Sequence, residues 1–411
     1  MVNADLERQG RCVKAAARVL ATTTNDQRVN VLRDVATRLQ SHSDEILAAN
    51  ADDVNEYRDT GPGRDRLVLN PTRLEDMAVS LQSVSELPDP LSEIVNVHTR
   101  PNGLEVCQMR VPLGVVGVIY ENRPNVTTDV AGLCLRSGNA AYLRGSSSAQ
   151  RTNTVLVSIW RDALTAAQLP ADAVSLVRDT DHETATAFMA LSNVIDCLIP
   201  RGGPALIAAM REHARVPYVL DGDGNCHVYV DEYADVDMAL AIVQNAKMSR
   251  PGVCNAAETL LVHHHVAPQL LSQLATALPG VEIRGDERTR EIVANALHAT
   301  TEDYETEFLD LILAVRVVDS IEDAMAHVAR YGSGHSEAIV TNDELAAARW
   351  IREVDAAAVL VNASTRFIDG GELGLGAEVG ISTQKLHARG PMGLRELTCL
   401  KWVVQGKGQI R

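Results

Sequence analysis

Hydrophobic residues follow two different periodicities along this chain. In the first sixty residues they recur at helical spacing, as at Leu32, Val35 and Leu39, and Ser43 stands where it would cap a following helix. From Val115 onward, short apolar runs alternate with helical stretches. Strands alternating with helices predict βαβ units and a doubly wound parallel sheet. The predicted strands of this region are 115–119, 140–143, 174–177, 194–199 and 216–220, and the predicted helices are 126–136, 149–168, 182–191 and 204–214.

The same alternation restarts after residue 224 and predicts a second α/β region that runs to about residue 385. A strand at 227–230 precedes a helix at 235–248, for which Asp235 is the expected cap, and another strand follows at 258–262. The weak alternation over 397–404 favours one further strand near the end of the chain.

Two alternating segments, 94–100 and 104–111, flank an Asn102-Gly103 dipeptide. This arrangement is a strong local signal for a β-hairpin. A hairpin placed between helices and a buried strand has no evident packing partner in its own domain. We therefore interpret it as an arm that pairs with something else.

Composition narrows the possible classes of protein. Hydrophobic residues make up 46% and charged residues 22% of the 411 positions, which excludes wholesale disorder. With 38 basic and 54 acidic residues, the net charge of −16 disfavours binding to nucleic acid or anionic lipid. A local cluster of arginines remains compatible with a small anionic substrate.

Three features favour a cytoplasmic protein without a membrane anchor. The first residues lack a signal-peptide pattern, and the longest apolar run, 111–120, is about half the ~20 residues that a membrane helix needs. The seven cysteines are odd in number and contain no C-x-x-C pair, which favours reduced thiols.

Several polar segments have the composition of a binding or catalytic site. Cys254 lies at a predicted turn between a helix and a strand, which suits a nucleophile, although a small buried side chain is the commoner role of a cysteine. Arg201-Gly202-Gly203 links a strand to a helix and suits a pyrophosphate or a plain tight turn. No G-x-G-x-x-G follows a strand, which disfavours an ordinary Rossmann dehydrogenase.

Two further segments permit competing interpretations. The segment that starts at Arg144 has the hydroxyls to hold a ribose phosphate, but a solvated loop would look the same. His263-His264-His265 resembles a metal-binding tract. Because adjacent strand residues point to opposite faces, we do not expect all three histidines to converge on one ion without a loop, and we prefer a polar strand end to a zinc site.

The longest motifs occur in a characteristic order, at 111–126, 143–145, 199–203, 224–231, 250–259 and 376–393. Over about residues 10 to 403 the chain resembles the gamma-glutamyl phosphate reductase (glutamate-5-semialdehyde dehydrogenase) family, which is itself similar to the aldehyde dehydrogenase superfamily. The resemblance implies an α/β, aldehyde-dehydrogenase-like fold with two doubly wound parallel-sheet domains and a β-hairpin oligomerisation arm. The implied domains are an NADPH-binding domain (1–93 and 112–226), a catalytic domain (227–385), and an arm and tail (94–111 and 386–411).

The resemblance also implies roles for individual residues. Cys254 falls on the catalytic cysteine, and Asn125 is the expected oxyanion donor, with Asn122 and Arg123 as alternatives. Where aldehyde oxidisers have a catalytic glutamate, the local acid is Asp221. The expected cofactor-binding residues are Arg144, Gly145, Ser146, Ser147, Arg201, Gly202, Gly203 and Glu307; the expected substrate-binding residues are Arg123, Arg366 and Lys385; no metal ligands are expected.

The activity implied is NADPH-dependent reduction of L-glutamyl 5-phosphate to L-glutamate 5-semialdehyde in proline biosynthesis, through a cysteine thioester and with release of phosphate. NADPH is favoured over NADH because Ser147 stands where NAD-dependent members often have a glutamate that would repel a 2′-phosphate. A homo-oligomer, dimer or tetramer, and functional coupling to glutamate 5-kinase are also implied. The alternatives are an NAD-dependent aldehyde oxidiser, a non-catalytic scaffold on this fold and a zinc-dependent alcohol dehydrogenase.

Overall fold

The computed structural model describes residues 4–58, 62–220 and 223–411. The helices are α1 (Ala4–Leu20), α2 (Asn25–Ser41), α3 (Ser43–Glu56), α4 (Pro62–Leu67), α5 (Pro71–Glu86), α6 (Pro124–Arg136), α7 (Gln150–Ala166), α8 (His182–Met189), α9 (Pro204–His213), α10 (Val236–Met248), α11 (Ala267–Ala277), α12 (Glu287–Ile292), α13 (Thr301–Glu305), α14 (Ile321–Tyr331) and α15 (Glu344–Glu353). The strands are β1 (Ile94–Thr99), β2 (Glu105–Pro112), β3 (Val115–Tyr120), β4 (Ala140–Arg144), β5 (Val174–Leu176), β6 (Cys197–Arg201), β7 (Cys226–Val230), β8 (Ala257–His263), β9 (Glu282–Gly285), β10 (Leu297–His298), β11 (Ile312–Val318), β12 (Ser336–Val340), β13 (Ala358–Val361), β14 (Ile381–Ser382), β15 (Gly390–Pro391) and β16 (Thr398–Gln405).

The described chain forms two compact units. The first contains the described residues up to Leu220 together with Gly374–Gly380 and Met392–Arg411. The second contains the described residues from 223 to Leu373 together with Ile381–Pro391. The roles that we expect for the domains, cofactor binding and catalysis, stay predictions.

A four-stranded parallel sheet lies in the first unit, in the order β5-β4-β3-β6. Every residue of β3 is buried, as its unbroken apolar run predicts for a central parallel strand. Helix α2 begins with a capping box in which Thr24 and Gln27 each accept the other's backbone N–H. Because β4, β3 and β6 are parallel neighbours, their carboxyl ends lie side by side at one end of the sheet.

The second unit contains a seven-stranded parallel sheet in the order β10-β9-β11-β8-β7-β12-β13. Alternate residues of β7 and β8 enter different hydrophobic clusters: Val228 and Leu260 pack in one, and Tyr229 and Leu261 pack with Trp350 in the other. The sheet is therefore covered on both faces, which confirms the doubly wound architecture. Asp235 caps α10 by accepting the Met238 N–H, as predicted.

The predicted hairpin is confirmed. Strands β1 and β2 pair in antiparallel fashion, and β16 pairs along the other edge of β2 from Thr398 to Gln405. The weakly alternating segment near the end of the chain is thus the third strand of a small antiparallel sheet with the order β1-β2-β16.

Two local predictions were wrong. Segment 216–220 forms only one isolated bridge, between Leu198 and Tyr218, because it meets the sheet at a single point instead of along a ladder. Ser43 is the first residue of α3 and not its cap; His42 takes the cap position without a side-chain hydrogen bond.

Among the described residues, no helix combines the length and apolar character required to cross a lipid bilayer.

Candidate active site

Cys254 lies in the turn between α10 and β8, in the second unit, and its side chain is half-buried. The next residue anchors this turn. The buried Asn255 amide donates to the Ile368 carbonyl at 2.8 Å, and the Asn255 carbonyl accepts the Thr365 hydroxyl at 2.6 Å. A thiol on a turn fixed in this way is partly accessible while its backbone is held still, which suits a nucleophile.

The backbone of Cys254 packs directly against the segment that leads into β7. A Cβ atom placed at Gly224 would lie 1.7 Å from the Cys254 carbonyl oxygen. That oxygen also accepts a hydrogen bond from the Cys226 thiol, at 3.1 Å. Burial raises the pKa of Cys226 well above its usual range, so this second thiol stays protonated and serves as a donor.

Arg366 brings positive charge to the same turn. Its guanidinium donates to the side-chain carbonyl of Asn255 and, at 3.1 Å, to the Ser249 hydroxyl. Burial and nearby Arg250 lower the pKa of Arg366, whereas the neighbouring Cys254 acts in the opposite direction. Cationic groups beside the thiol are the surroundings that favour a thiolate and an anionic substrate.

Glu307 lies on the other side of Gly224. Its carboxylate accepts the Gly224 N–H at 2.8 Å. The loop that carries Glu307 is fixed by Glu258, which accepts the Leu309 N–H at 3.3 Å and pairs with Lys247 at 2.5 Å. Lys247 and Glu258 are both fully buried, so this ion pair supports the loop from within the unit.

In the first unit, polar residues gather at the carboxyl ends of β3 and β4. Asn122 accepts hydrogen bonds from the hydroxyls of Ser146, at 2.9 Å, and Ser148, at 2.7 Å. Its amide group donates to the Tyr57 hydroxyl at 2.7 Å. The side chain of Asn122 is therefore occupied in shaping this loop, where parallel sheets bind ligands.

The rest of this loop contains an exposed hydroxyl and a half-buried arginine. Ser147 is exposed. Arg144 donates to the Asp181 carbonyl at 3.0 Å, and its buried Nε has no hydrogen-bond partner among the described residues. Gly145 is required at its position, since a Cβ there would lie 2.3 Å from the Asn153 amide nitrogen.

The turn after β6 has the features of an anion cradle. Arg201 ends β6, and Gly203 takes the cap position of the ten-residue helix α9, where no side-chain cap forms. Within the described part of the chain, no atom beyond the adjacent residues lies within 4 Å of a Cβ added at Gly203, so the space there is open. Gly202 directly precedes Gly203 in the same turn. An uncapped helix N-terminus beside open space fits the pyrophosphate of a dinucleotide.

The expected oxyanion donor begins the helix that follows β3. Asn125, in the first turn of α6, donates one amide N–H to Asp129 at 2.9 Å. Burial raises the pKa of Asp129 to about 6. Arg123 takes the cap position of the same helix and is half-buried.

The structure does not gather every predicted residue. Lys385 is exposed and pairs with Asp355 at 2.5 Å, and the cavity that it lines does not include Cys254. Asp221 lies outside the described residues. The structure adds residues that the sequence analysis did not single out as site residues: Tyr57, Cys226, Lys247 and Glu258.

Comparisons with known proteins identify the family of the chain. A model of the aldehyde dehydrogenase family matches residues 2–302. A curated gamma-glutamyl phosphate reductase of Carboxydothermus hydrogenoformans is 53% identical over 403 residues, which cover 97% of each chain. The chain belongs to the gamma-glutamyl phosphate reductases of the aldehyde dehydrogenase family.

Solved structures place the fold in the same family. The crystal structure of gamma-glutamyl phosphate reductase from Thermotoga maritima aligns with a TM-score of 0.96 and 44% identity and covers 99% of both chains. An acetylating aldehyde dehydrogenase from Geobacillus thermoglucosidasius, at 16% identity, shares the fold alone, with a TM-score of 0.71 over 99% of this chain and 97% of its own. The predicted aldehyde-dehydrogenase-like fold is thereby confirmed.

Membership of the aldehyde dehydrogenase family identifies the chain as an oxidoreductase that acts on a small molecule. Some of the residues missed by sequence reasoning have partners distant in the chain, as Tyr57 has in Asn122. Such pairings have no local signal.

Proposed function

We propose that this chain reduces L-glutamyl 5-phosphate to L-glutamate 5-semialdehyde, with release of phosphate, as a step of proline biosynthesis. The observation that carries the proposal is the 53% identity to a curated gamma-glutamyl phosphate reductase over 97% of both chains. The local chemistry supports it, because a half-buried thiol lies on an anchored turn beside Arg366.

We assign the nucleophile to Cys254. Its thiolate attacks the γ-carbonyl carbon of the acyl phosphate, a C–S bond forms, and the C–O bond to phosphate breaks. Phosphate leaves readily without a strong general acid. When the acyl group has been reduced to the aldehyde level, the C–S bond breaks and the thiolate of Cys254 is restored.

The oxyanion needs hydrogen-bond donors that are already in place. We propose Asn125 for this role, with Asn122 and Arg123 as the remaining candidates. One N–H of the Asn125 amide is held by Asp129, which fixes the amide and leaves its other N–H for a ligand. Asn122 also donates one amide N–H, to the Tyr57 hydroxyl, and its oxygen accepts the Ser146 hydroxyl, so hydrogen bonding alone does not separate it from Asn125.

We propose NADPH as the reductant. The open helix N-terminus at Gly203 fits its pyrophosphate, with Arg201 and Gly202 in the same turn, and Arg144 with the serines of its loop would hold the adenosine ribose and its 2′-phosphate. Glu307 is the proposed partner of the ribose on the nicotinamide side. NADPH supplies the hydride that reduces the acyl group.

Substrate recognition and assembly complete the proposal. Arg366 and Arg123 would bind the anionic groups of the substrate, and Lys385 would do so only by giving up its pair with Asp355. We propose that the sheet formed by β1, β2 and β16 joins subunits into a dimer or tetramer. A reactive acyl phosphate makes functional coupling to glutamate 5-kinase advantageous, and the cytoplasm supplies the reducing conditions that Cys254 requires.

An assay in the reverse direction tests the function. Purified protein is given glutamate 5-semialdehyde and NADP⁺, with and without inorganic phosphate, and NADPH formation is followed by absorbance. We expect continuous turnover only with phosphate, because phosphate must release the acyl group from Cys254. Equal turnover without phosphate would identify an aldehyde oxidiser that uses water, and no turnover with any aldehyde would identify a non-catalytic protein.

A further inference from the structure

The second unit has a polar cavity at the carboxyl ends of its central strands. The cavity measures about 480 Å³ and lies where β7, β8 and β11 end. Glu232 follows β7, and His263 is the last residue of β8. Ligands of parallel α/β sheets bind at such carboxyl ends. Cys254 precedes β8, so the proposed catalytic turn lies at the other end of this strand.

A tight turn brings histidines together beside this cavity. The His263 carbonyl accepts the Val266 N–H at 3.1 Å, and the His264 N–H is held by the Val318 carbonyl at 2.9 Å. The ring centroids of His263 and His265 are 4.9 Å apart. The strand ends at His263 and the alternation of faces ends with it, so the turn brings together two of the three histidines, His263 and His265.

Glu232 completes a set of three metal-binding groups. One ligand atom from each of Glu232, His263 and His265 lies within 4.8 Å of the others. The His265 Nδ1 and a Glu232 carboxylate oxygen are 3.2 Å apart. Two ligands of a tetrahedral zinc ion, each about 2.0–2.1 Å from the metal, are separated by roughly 3.3 Å. This pair already has the spacing that an ion between the two atoms requires.

The charges around the cavity also favour a cation. Asp231 accepts hydrogen bonds from Tyr229 and Thr341, and Asp319 pairs with Arg288. Among the described residues, no lysine or arginine pairs with Glu232; its partner is the imidazole of His265. The carboxylate in this set is therefore not neutralised by a permanently charged side chain.

We propose that Glu232, His263 and His265 form a binding site for a divalent transition-metal ion, such as Zn²⁺ or Co²⁺. Imidazole nitrogens with one carboxylate select such ions over Mg²⁺ and Ca²⁺, which prefer all-oxygen sites. The ion joins the carboxyl ends of β7 and β8. Strand β8 has seven residues, roughly 20 Å, so an ion at its far end takes no part in cysteine chemistry.

The test uses Co²⁺ as the probe, because its visible absorption reports the ligand type. The full chain, without a polyhistidine tag, is stripped with a chelator, titrated with Co²⁺ and followed by absorbance and by metal content after gel filtration. We expect about one ion per chain, visible bands of nitrogen and oxygen ligation, and a rise in the melting temperature.

Variants locate the site. His265→Ala and Glu232→Gln change exposed or half-buried side chains and are expected to lose at least 90% of the bound Co²⁺ while retaining the circular dichroism of the parent. His264→Gln is the matched control, because His264 lies in the same turn, faces Asp319 at 3.7 Å, and is expected to bind normally.

Three results would overturn the proposal. They are no binding at micromolar Co²⁺, unchanged binding in His265→Ala, and a near-ultraviolet charge-transfer band, which would show that cysteines hold the ion. The phosphate-dependent assay is independent of these results, since the metal set lies apart from Cys254.

Discussion

At the scale of single residues, the turn around Cys254 depends on a contact that no local pattern reveals. The position of Cys254 in a turn before a buried strand is predictable, because the apolar run of β8 defines where the strand begins. The role of Gly224 is not predictable, since the atom that excludes a side chain there belongs to Cys254, far along the chain.

Substitution of Gly224 tests whether this backbone contact positions the nucleophile. In Gly224→Ala the new methyl group would lie 1.7 Å from the Cys254 carbonyl oxygen, so the turn must move. We expect kcat to fall by at least about 100-fold, because displacement of a reacting group by about 1 Å has an effect of that size. Steady-state kinetics measures the change, with circular dichroism as a check of folding.

Gly252→Ala is the matched control, because it adds the same methyl group in the same turn as Cys254. There the nearest atom is the Leu309 carbonyl oxygen, 3.7 Å away, which is an ordinary contact. Activity close to that of the parent is expected. If both variants were equally active, the contact between Gly224 and Cys254 would have no role in positioning the thiol.

We expect the choice of cofactor to depend on Ser147, which is exposed in the loop after β4. A carboxylate in Ser147→Glu should repel a 2′-phosphate by roughly 1–3 kcal/mol at the intermediate dielectric of a cleft. Binding of NADPH should weaken more than binding of NADH, as measured by fluorescence titration. Ser147→Gln has similar size without charge and should retain the preference; an unchanged preference in Ser147→Glu would place the phosphate elsewhere.

At the scale of secondary-structure elements, the sequence predicts those strands, turns and helix caps that depend only on residues close together in the chain. The apolar run of β3, the Asn102-Gly103 turn and the cap Asp235 all act within a few residues, and each prediction agrees with the structure. Segment 216–220 has a strand-like composition but meets only Leu198, because strand formation requires a neighbouring ladder that composition does not specify.

The loop that carries Glu307 depends on the buried pair of Lys247 and Glu258. Burial raises the pKa of Glu258 and lowers that of Lys247, so removal of either partner leaves an uncompensated buried group. Lys247→Met is expected to lower the free energy of unfolding by about 3–5 kcal/mol. Urea denaturation measures this loss.

Lys385→Met provides the comparison, because Lys385 and Asp355 form an exposed pair. Solvent screening makes such pairs weak, so its unfolding curve should coincide with that of the parent. Equal stability of Lys247→Met and the parent would show that the buried pair does not hold the loop.

At the scale of the whole molecule, the small sheet of β1, β2 and β16 has two edge strands and an exposed apolar row. On β16, Leu400, Trp402 and Val404 alternate on one face and are 38%, 62% and 56% exposed. Natural proteins cover long apolar edges of this kind. The sequence predicts the hairpin, but neither the sequence nor a single chain defines the number of subunits.

Replacement of the apolar row tests the proposed assembly. Trp402→Asp combined with Val404→Asp should shift the protein from an oligomer towards monomer, because each charge would have to be buried in the interface. Analytical ultracentrifugation at micromolar concentration measures the mass. Lys401→Asp, on the opposite face of β16, should retain the oligomer. An oligomer unchanged by the double substitution would exclude this row from the interface.

The central claim is that Cys254 carries the acyl group, and the most direct measurement is to trap that group. The protein is mixed with glutamate 5-semialdehyde and NADP⁺ without phosphate, NADPH formation is followed, and the quenched protein is digested for mass spectrometry. We predict a burst of about one NADPH per chain and a glutamyl thioester on the peptide that contains Cys254, both lost in Cys254→Ala. A glutamyl group on another residue, or Cys254→Ala turnover within tenfold of the parent when phosphate is present, would contradict the account.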